Sequence, residues 1–170
     1  LPPSNLNVDF DVSGALKPDW KADLSFDFGP SSLFNQPVSG HGKVRVRGKE
    51  VTDAAINLAL GANTFTASGR LGGSGGQLDW RLNAPALGVI GHGFKGSFAG
   101  SGTLSGTLEA LRGNMALTGR DFMLADLFGA HDLQFEATFG TTLSDRIDTH
   151  LSAEQATVAG THWSSLSLRS

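Results

Sequence analysis

A strict two-residue alternation over Phe94 to Glu109 is the sequence feature that most constrains the fold. Every second position is apolar or glycine and most of the others are small and polar, in the order FKGSFAGSGTLSGTLE. Successive side chains of a β-strand point to opposite faces, whereas a helix would scatter this pattern around its axis. The stretch therefore predicts a strand with one apolar and one polar face. The alternation returns over Asn114 to Arg120 after a short break, which predicts a hairpin.

The same alternation recurs along the rest of the chain, most clearly over Asn5–Val12 and Trp20–Phe28. Glycine- and proline-rich breaks separate the repeats, including an expected loop over Gly29–Pro37. Asp121–Gly129 does not fit one face of a strand, and we expect either a short helical turn or a bulge there. The pattern predicts an all-β fold: an elongated, mostly antiparallel sheet of about a dozen strands, curled into an open apolar trough. Residues 1–170 are predicted to form a single repetitive domain.

Composition excludes several classes of protein. Charged residues make up 17 % of the chain and the net charge is −3, which leaves no basic face for nucleic acid. Cysteine is absent, so there is no disulfide framework or thiolate metal site. The longest apolar run, Ala86–Ile90, is far too short for a transmembrane helix. Because the chain opens just ahead of one predicted strand and stops inside another, we expect a fragment of a longer protein.

Three motifs that could carry chemistry have simpler explanations. Gly91–Gly96 matches the G-x-G-x-x-G fingerprint, but the fingerprint needs a helix after it and a strand is predicted here. Gly72–Gly76 matches a nucleophile elbow and is expected to be a flexible hairpin turn. The basic row of Lys43, Arg45 and Arg47 could bind phosphate, although alternating charges usually mark the solvated face of a strand.

The histidines show no spacing that suits a metal. His41, His92, His131, His150 and His162 lie far apart, with no i, i+4 pair. We therefore predict no catalytic residues, no cofactor and no metal, and a protein that is not an enzyme.

The remaining constellation is the apolar stripe, which is the predicted groove lining. An ordinary sandwich core is the simplest alternative, because two such faces can pack against each other. We favour an open trough, because the same one-sided pattern continues through strand after strand with hairpin-length turns. Glycines on the apolar face, such as Gly69, Gly96 and Gly102, are expected to permit curling and to leave room inside the curl. The predicted lining comprises Phe10, Trp20, Phe26, Phe28, Leu58, Phe65, Trp80, Phe98, Leu104, Leu117, Phe135 and Phe139.

Several runs resemble the repeat of the TamB family of AsmA-like envelope proteins, the bridging half of the translocation and assembly module. The residues that carry the resemblance are Leu60–Gly72 (LGANTFTASGRLG), followed by LDWRL at 78–82 and APAL at 84–87. Gly100–Leu108 (GSGTLSGTL) and Asp121-Phe122 are similar to the next unit. We expect these residues to correspond to an internal stretch of the bridge, without the family's amino-terminal membrane anchor or a partner-docking end.

The resemblance implies a periplasmic location in a Gram-negative bacterium, with the full-length protein anchored in the inner membrane. It implies phospholipid acyl chains or outer-membrane protein strands as cargo, and a TamA-like outer-membrane barrel of the Omp85 type as partner. A structural or adhesive β-solenoid or sandwich with a filled core is the alternative. A transmembrane barrel is rejected, because tyrosine is absent and the outward faces are strongly charged.

Overall fold

The computed structural model describes residues 4–15, 20–91, 93–107, 109–125, 127–140 and 147–170. Nearly all of these residues belong to extended strands joined by short turns. The strands are β1 (Val8–Ala15), β2 (Lys21–Phe28), β3 (Ser31–Leu33), β4 (Gln36–Arg47), β5 (Glu50–Leu60), β6 (Asn63–Leu71), β7 (Gln77–Ala84), β8 (Phe94–Thr107), β9 (Ala110–Leu124), β10 (Phe128–Phe139), β11 (Asp148–Val158) and β12 (Thr161–Arg169).

All twelve strands belong to one open sheet, and all the strand pairs are antiparallel. The order is β1-β2-β4-β5-β6-β7-β8-β9-β10-β11-β12, with β3 paired to β4 alone. A single 3-10 turn at Leu87–Val89 is the helical element of the described residues. The predicted all-β class, strand number and open antiparallel sheet are confirmed. No helix of the described ranges is long and apolar enough to cross a membrane.

The register of the ladders keeps the apolar residues of neighbouring strands on one face. Phe26 lies opposite both Phe10 and Gly42, and Trp80 lies opposite both Ala67 and Gly102. A one-residue slip would move a whole strand's side chains to the other face, so the alternation fixes this register. The neighbouring polar row runs from Asp9 on β1 to Arg169 on β12 through strand after strand. We call these two surfaces the apolar face and the polar face.

Two segments differ from the sequence expectation. The expected loop over Gly29–Pro37 contains β3 and the start of β4, joined by Phe34 and Asn35 in left-handed backbone conformations (φ 54° and 62°). Positive φ at both central residues is the signature of a tight type I′ hairpin turn, so this loop prediction was wrong. The short break expected at Ala110–Arg112 lies earlier in the chain, because β8 ends at Thr107 and β9 begins at Ala110, with Leu108 outside the described residues. The predicted hairpin itself is confirmed by the antiparallel ladder of β8 and β9.

The ambiguous segment after Gly119 is a bulge. Asp121 has a φ of 47°, and β9 continues beyond it to Leu124. Relative to β8, strand β9 has one extra residue at this point, which reverses its alternation and places Phe122 in the apolar cluster with Phe98 and Leu133. The expectation of a bulge was therefore correct and that of a helical turn was not.

The sheet curls towards its apolar face at the end that holds the β4–β5 and β8–β9 turns. Lys49 Nζ lies 2.9 Å from Glu109 Oε1, and the Gly72 amide donates to the Gly106 carbonyl at 2.7 Å. Val51 and Leu71 are buried here, with Leu104 and Leu111 packed against them. These strands are not neighbours in the sheet, so the contacts require strong curvature.

Candidate functional site: the apolar face

The ladders bring eleven of the twelve predicted lining residues onto the apolar face. Leu58, Phe65, Leu117 and Phe135 belong to one row that crosses β5 to β10, and the other seven lie in parallel rows. Trp20 precedes β2, and the residue is 44 % exposed. The stripe is therefore one continuous surface across the sheet.

This face has no second layer packed on it in the described part of the chain. Seven of the eleven buried hydrophobic residues are alanines, and no large side chain is fully buried. None of the described aromatic residues is in the buried class, and Phe10 on the edge strand β1 is 68 % exposed. A sandwich would bury its large inward side chains between two sheets. The large side chains here cover the alanines and remain partly open to solvent.

The glycines of the apolar face do not leave empty room, contrary to expectation. The Phe26 ring lies over Gly42, and the Leu117 side chain lies over Gly100. A Cβ at Gly102 would approach Trp80 Nε1 to 2.8 Å, and one at Gly113 would approach Phe139 Cζ to 2.9 Å. Glycine here lets a large neighbour lie flat on the backbone, because no side chain lifts it. The apolar face is therefore a continuous, shallow surface without cavities over these glycines.

Sequence reasoning missed part of the lining at the β9–β10 end. The Phe122 ring packs at a tilt against Phe98 and Phe128, with centroid distances of 5.7 and 6.1 Å, beside the buried residues Leu133 and Ala153. The bulge at Asp121 hid Phe122 from the period-two pattern. Ile56 and Met115 also lie in the rows of the stripe, and the alternation would have identified them.

A protein-family model described as TamB, N-terminal domain, matches residues 2–170, which is almost the whole chain. The chain belongs to the TamB family. It is therefore a bacterial envelope protein of the TamB type. No curated protein and no solved structure matches it.

The polar face of this TamB-family chain carries its own broad, open concavity of about 880 Å³, which the sequence did not predict. It extends across β6 to β12, and its floor holds neutral hydroxyl and amide groups such as Ser101, Thr103 and Asn114. Charged groups of both signs, including Asp79, Arg81 and Glu136, stand around them. A twisted sheet can be concave on either face along different diagonals, which explains a hollow on the polar side.

Ion pairs on the polar face explain most of the basic row. Arg47 donates from Nη2 to both carboxylate oxygens of Asp23 at 2.8 Å, and Arg45 lies 3.5 Å from Asp23 and 3.6 Å from Asp53. The Arg47 hydrogen bond, aided by the charges of Arg47 and Arg45, lowers the pKa of Asp23. These arginines link strands β2, β4 and β5 on the solvated side of the sheet. This agrees with the interpretation of the basic row as the solvated face of a strand.

The described histidines do not cluster with one another. His131 Nδ1 lies 2.6 Å from Asp121 Oδ1 at the β9 bulge, and this hydrogen bond raises the pKa of His131. His150 accepts a hydrogen bond from Arg169 Nε at 3.2 Å. No group of three or more metal-ligating side chains occurs in the described part of the chain. His92 lies outside the described residues.

Proposed function

We propose that this chain is a non-enzymatic segment of a periplasmic bridge between the inner and outer membranes. Its apolar face would shelter phospholipid acyl chains during transport, or apolar strands of outer-membrane proteins during assembly. The full-length protein would be anchored in the inner membrane, and a TamA-like outer-membrane barrel of the Omp85 type would be its partner.

The uncovered apolar face is the observation that carries this proposal. A stripe of half-exposed aromatic and aliphatic side chains across an envelope protein is an unfavourable surface to leave in water. Each methylene of a ligand buried against it would contribute about 0.8 kcal/mol. A segment of an acyl chain would therefore be held without any polar contact.

The lining favours sliding over tight binding. No charged side chain occupies the ladder rows of the apolar face in the described residues. Asn63 is buried there, but its side chain is already bonded to the backbone of Ala86 at 3.0 and 3.1 Å. A ligand would find contact area without a polar group that fixes its position, which suits passage along the sheet.

Photo-crosslinking in cells tests the proposal at two adjacent positions on opposite faces. Leu117 is in the middle of the apolar face, and Thr118 is exposed on the polar face of the same strand. A photoreactive amino acid at position 117 should give adducts with phospholipid or with outer-membrane protein chains, and the same probe at 118 should not. Mass spectrometry of the adducts distinguishes the two cargoes. Adducts at 117 that join only residues of this same chain would show a filled core and would refute the proposal.

A further inference from the structure

Three side chains of complementary chemistry line one concavity at the far end of the polar face. Lys95 and Ser97 lie on β8, and Arg120 lies on β9 directly opposite Ser97. They surround a hollow of about 590 Å³ whose other wall is the Pro85–Gly88 segment between β7 and β8. Gly96 lies between the first two residues at a bulge, with a φ of 81°.

The pairing places these groups within reach of one small ligand. Directly opposite residues of an antiparallel pair have Cβ atoms roughly 5 Å apart, and diagonal neighbours about 7–8 Å apart. Lys95 and Arg120 lie on either side of the bulge, where the regular ladder spacing is interrupted, and both line the same hollow. Long basic side chains on these two positions can therefore converge on a group of a few ångströms.

The two cations of the hollow, Lys95 and Arg120, form no ion pair within the described ranges, even though Asp132 of β10 lies directly opposite Arg120 in the ladder. In this they differ from Arg45 and Arg47 on the same face, which form ion pairs with carboxylates. Asp121 also lines the hollow, but its Oδ1 is engaged by His131 at 2.6 Å. Its negative charge repels an anion in the hollow. Removing this charge should therefore strengthen anion binding, whereas removing either cation should weaken it.

We propose that Lys95, Ser97 and Arg120 form a binding site for a phosphate group, either free or in a lipid headgroup. An arginine fork pairs with two phosphate oxygens, a lysine ammonium adds charge, and a serine hydroxyl donates a further hydrogen bond. The site is on the opposite face from the apolar stripe and does not depend on it. It also differs from the nucleotide fingerprint of Gly91–Gly96, since a strand follows that motif and the contacts come from side chains.

Titration of the isotope-labelled chain with inorganic phosphate tests the site, with chloride at equal ionic strength as reference. Amide NMR signals of Gly96, Ser97 and Arg120 should shift saturably with phosphate only. Replacing both cations (Lys95→Gln with Arg120→Gln) should weaken the affinity at least about tenfold, because charge-assisted hydrogen bonds are lost. The matched control is Lys43→Gln with Arg81→Gln, which removes the same charge elsewhere on the polar face and should leave the affinity unchanged.

Asp121→Asn separates binding from folding, because it should strengthen phosphate binding while every structural loss weakens it. Asparagine tolerates the left-handed backbone of this position. The titration is run at about pH 5.5, where an ordinary histidine with a pKa near 6.5 is already protonated, so that His131 keeps its charge in both proteins. Weaker binding in the Asp121→Asn protein, or equal losses in the two double variants, would overturn the proposal.

Vesicle flotation then identifies the source of the phosphate. Binding to vesicles of phosphatidylcholine with phosphatidylglycerol, lost in the Lys95→Gln, Arg120→Gln variant but kept in the control, would identify a lipid headgroup. A phosphate response without vesicle binding would identify a soluble phosphate compound. Absence of any localised response to both probes would refute the site.

Discussion

Replacing Gly42 with alanine tests whether large side chains lie flat on the glycines of the apolar face. The added Cβ would occupy the space taken by the Phe26 ring, whose Cδ1 would be only 3.0 Å away. Gly42 does not have a left-handed φ, so the backbone accepts alanine without strain. The ring must therefore lift away from β4.

The expected loss of stability follows from two opposing contributions. Overpacking lowers the free energy of unfolding by about 1–3 kcal/mol. The change from glycine to alanine also restricts the unfolded chain, which raises the free energy of unfolding by about 0.4–1 kcal/mol. We expect a net loss of about 1–2 kcal/mol, with the lower end favoured because Phe26 is only partly buried and can rotate outwards. For a chain of this length, that corresponds to a decrease in Tm of about 2–8 °C.

Thermal and urea unfolding of the purified chain measure this loss against a matched control. Gly129 also lacks a left-handed φ, and a Cβ added there would meet its nearest neighbour at an ordinary 3.6 Å. Gly129→Ala should leave the stability unchanged or raise it by up to about 1 kcal/mol. Removing the ring with Phe26→Ala should abolish the penalty of Gly42→Ala, because the two residues contact each other. Equal stabilities of Gly42→Ala and Gly129→Ala would refute the flat packing.

Three further predictions concern other parts of the sheet. Asn63→Ala should lower the free energy of unfolding by about 1–3 kcal/mol, because it leaves the backbone N–H of Ala86 without its partner and removes one of the two hydrogen bonds to the Ala86 carbonyl. A loss below about 0.5 kcal/mol in urea unfolding, on the order of the smallest surface effects, would contradict this. The folded-state pKa of Asp23 lies below its ordinary value of 3.8. The ionised Asp23 side chain therefore stabilises the folded state above that pH, and this stabilisation is lost as the pH falls through the folded-state pKa. The stability difference between the wild type and Arg47→Gln should therefore shrink on acidification below about pH 4, and acid titrations that show a constant or growing difference would contradict the assigned pairing. In the full-length protein, Leu58→Asp should impair envelope integrity in a permeability assay with matched expression, whereas Arg45→Ser should not; equal harm from both would contradict a one-sided surface.

The period-two pattern was sufficient to predict the sheet and the composition of its faces. Pairs such as Phe10–Phe26 and Leu58–Phe65 follow from alternation once neighbouring strands are antiparallel, and the register preserves one apolar face throughout. The family resemblance was also confirmed by the match over residues 2–170. The residues were thus sufficient to predict the strand periodicity, the antiparallel sheet and its two faces.

Features that depend on positive φ or on curvature were not readable in the same way. Asp121, Phe34 and Asn35 adopt left-handed backbone conformations, which the local pattern of side chains does not specify. The contact between Lys49 and Glu109 depends on the summed curvature of the strands between them. The flat packing over Gly42 depends on a side-chain orientation in the neighbouring strand. Each of these arises from tertiary geometry rather than from sequence period.

Quenching of Trp80 fluorescence by a bromine-labelled fatty acid tests most directly whether the apolar face accepts an acyl chain. Trp80 lies on this face and Arg81 is exposed on the other, so adjacent positions of one strand sample both surfaces. One protein keeps Trp80 alone, with Trp20→Phe and Trp163→Phe. The second also carries Trp80→Phe and gains its single tryptophan by Arg81→Trp. We predict saturable quenching in the first protein and none beyond the collisional background in the second. Equal quenching in both proteins, or none in either, would contradict an open apolar face that shelters lipid.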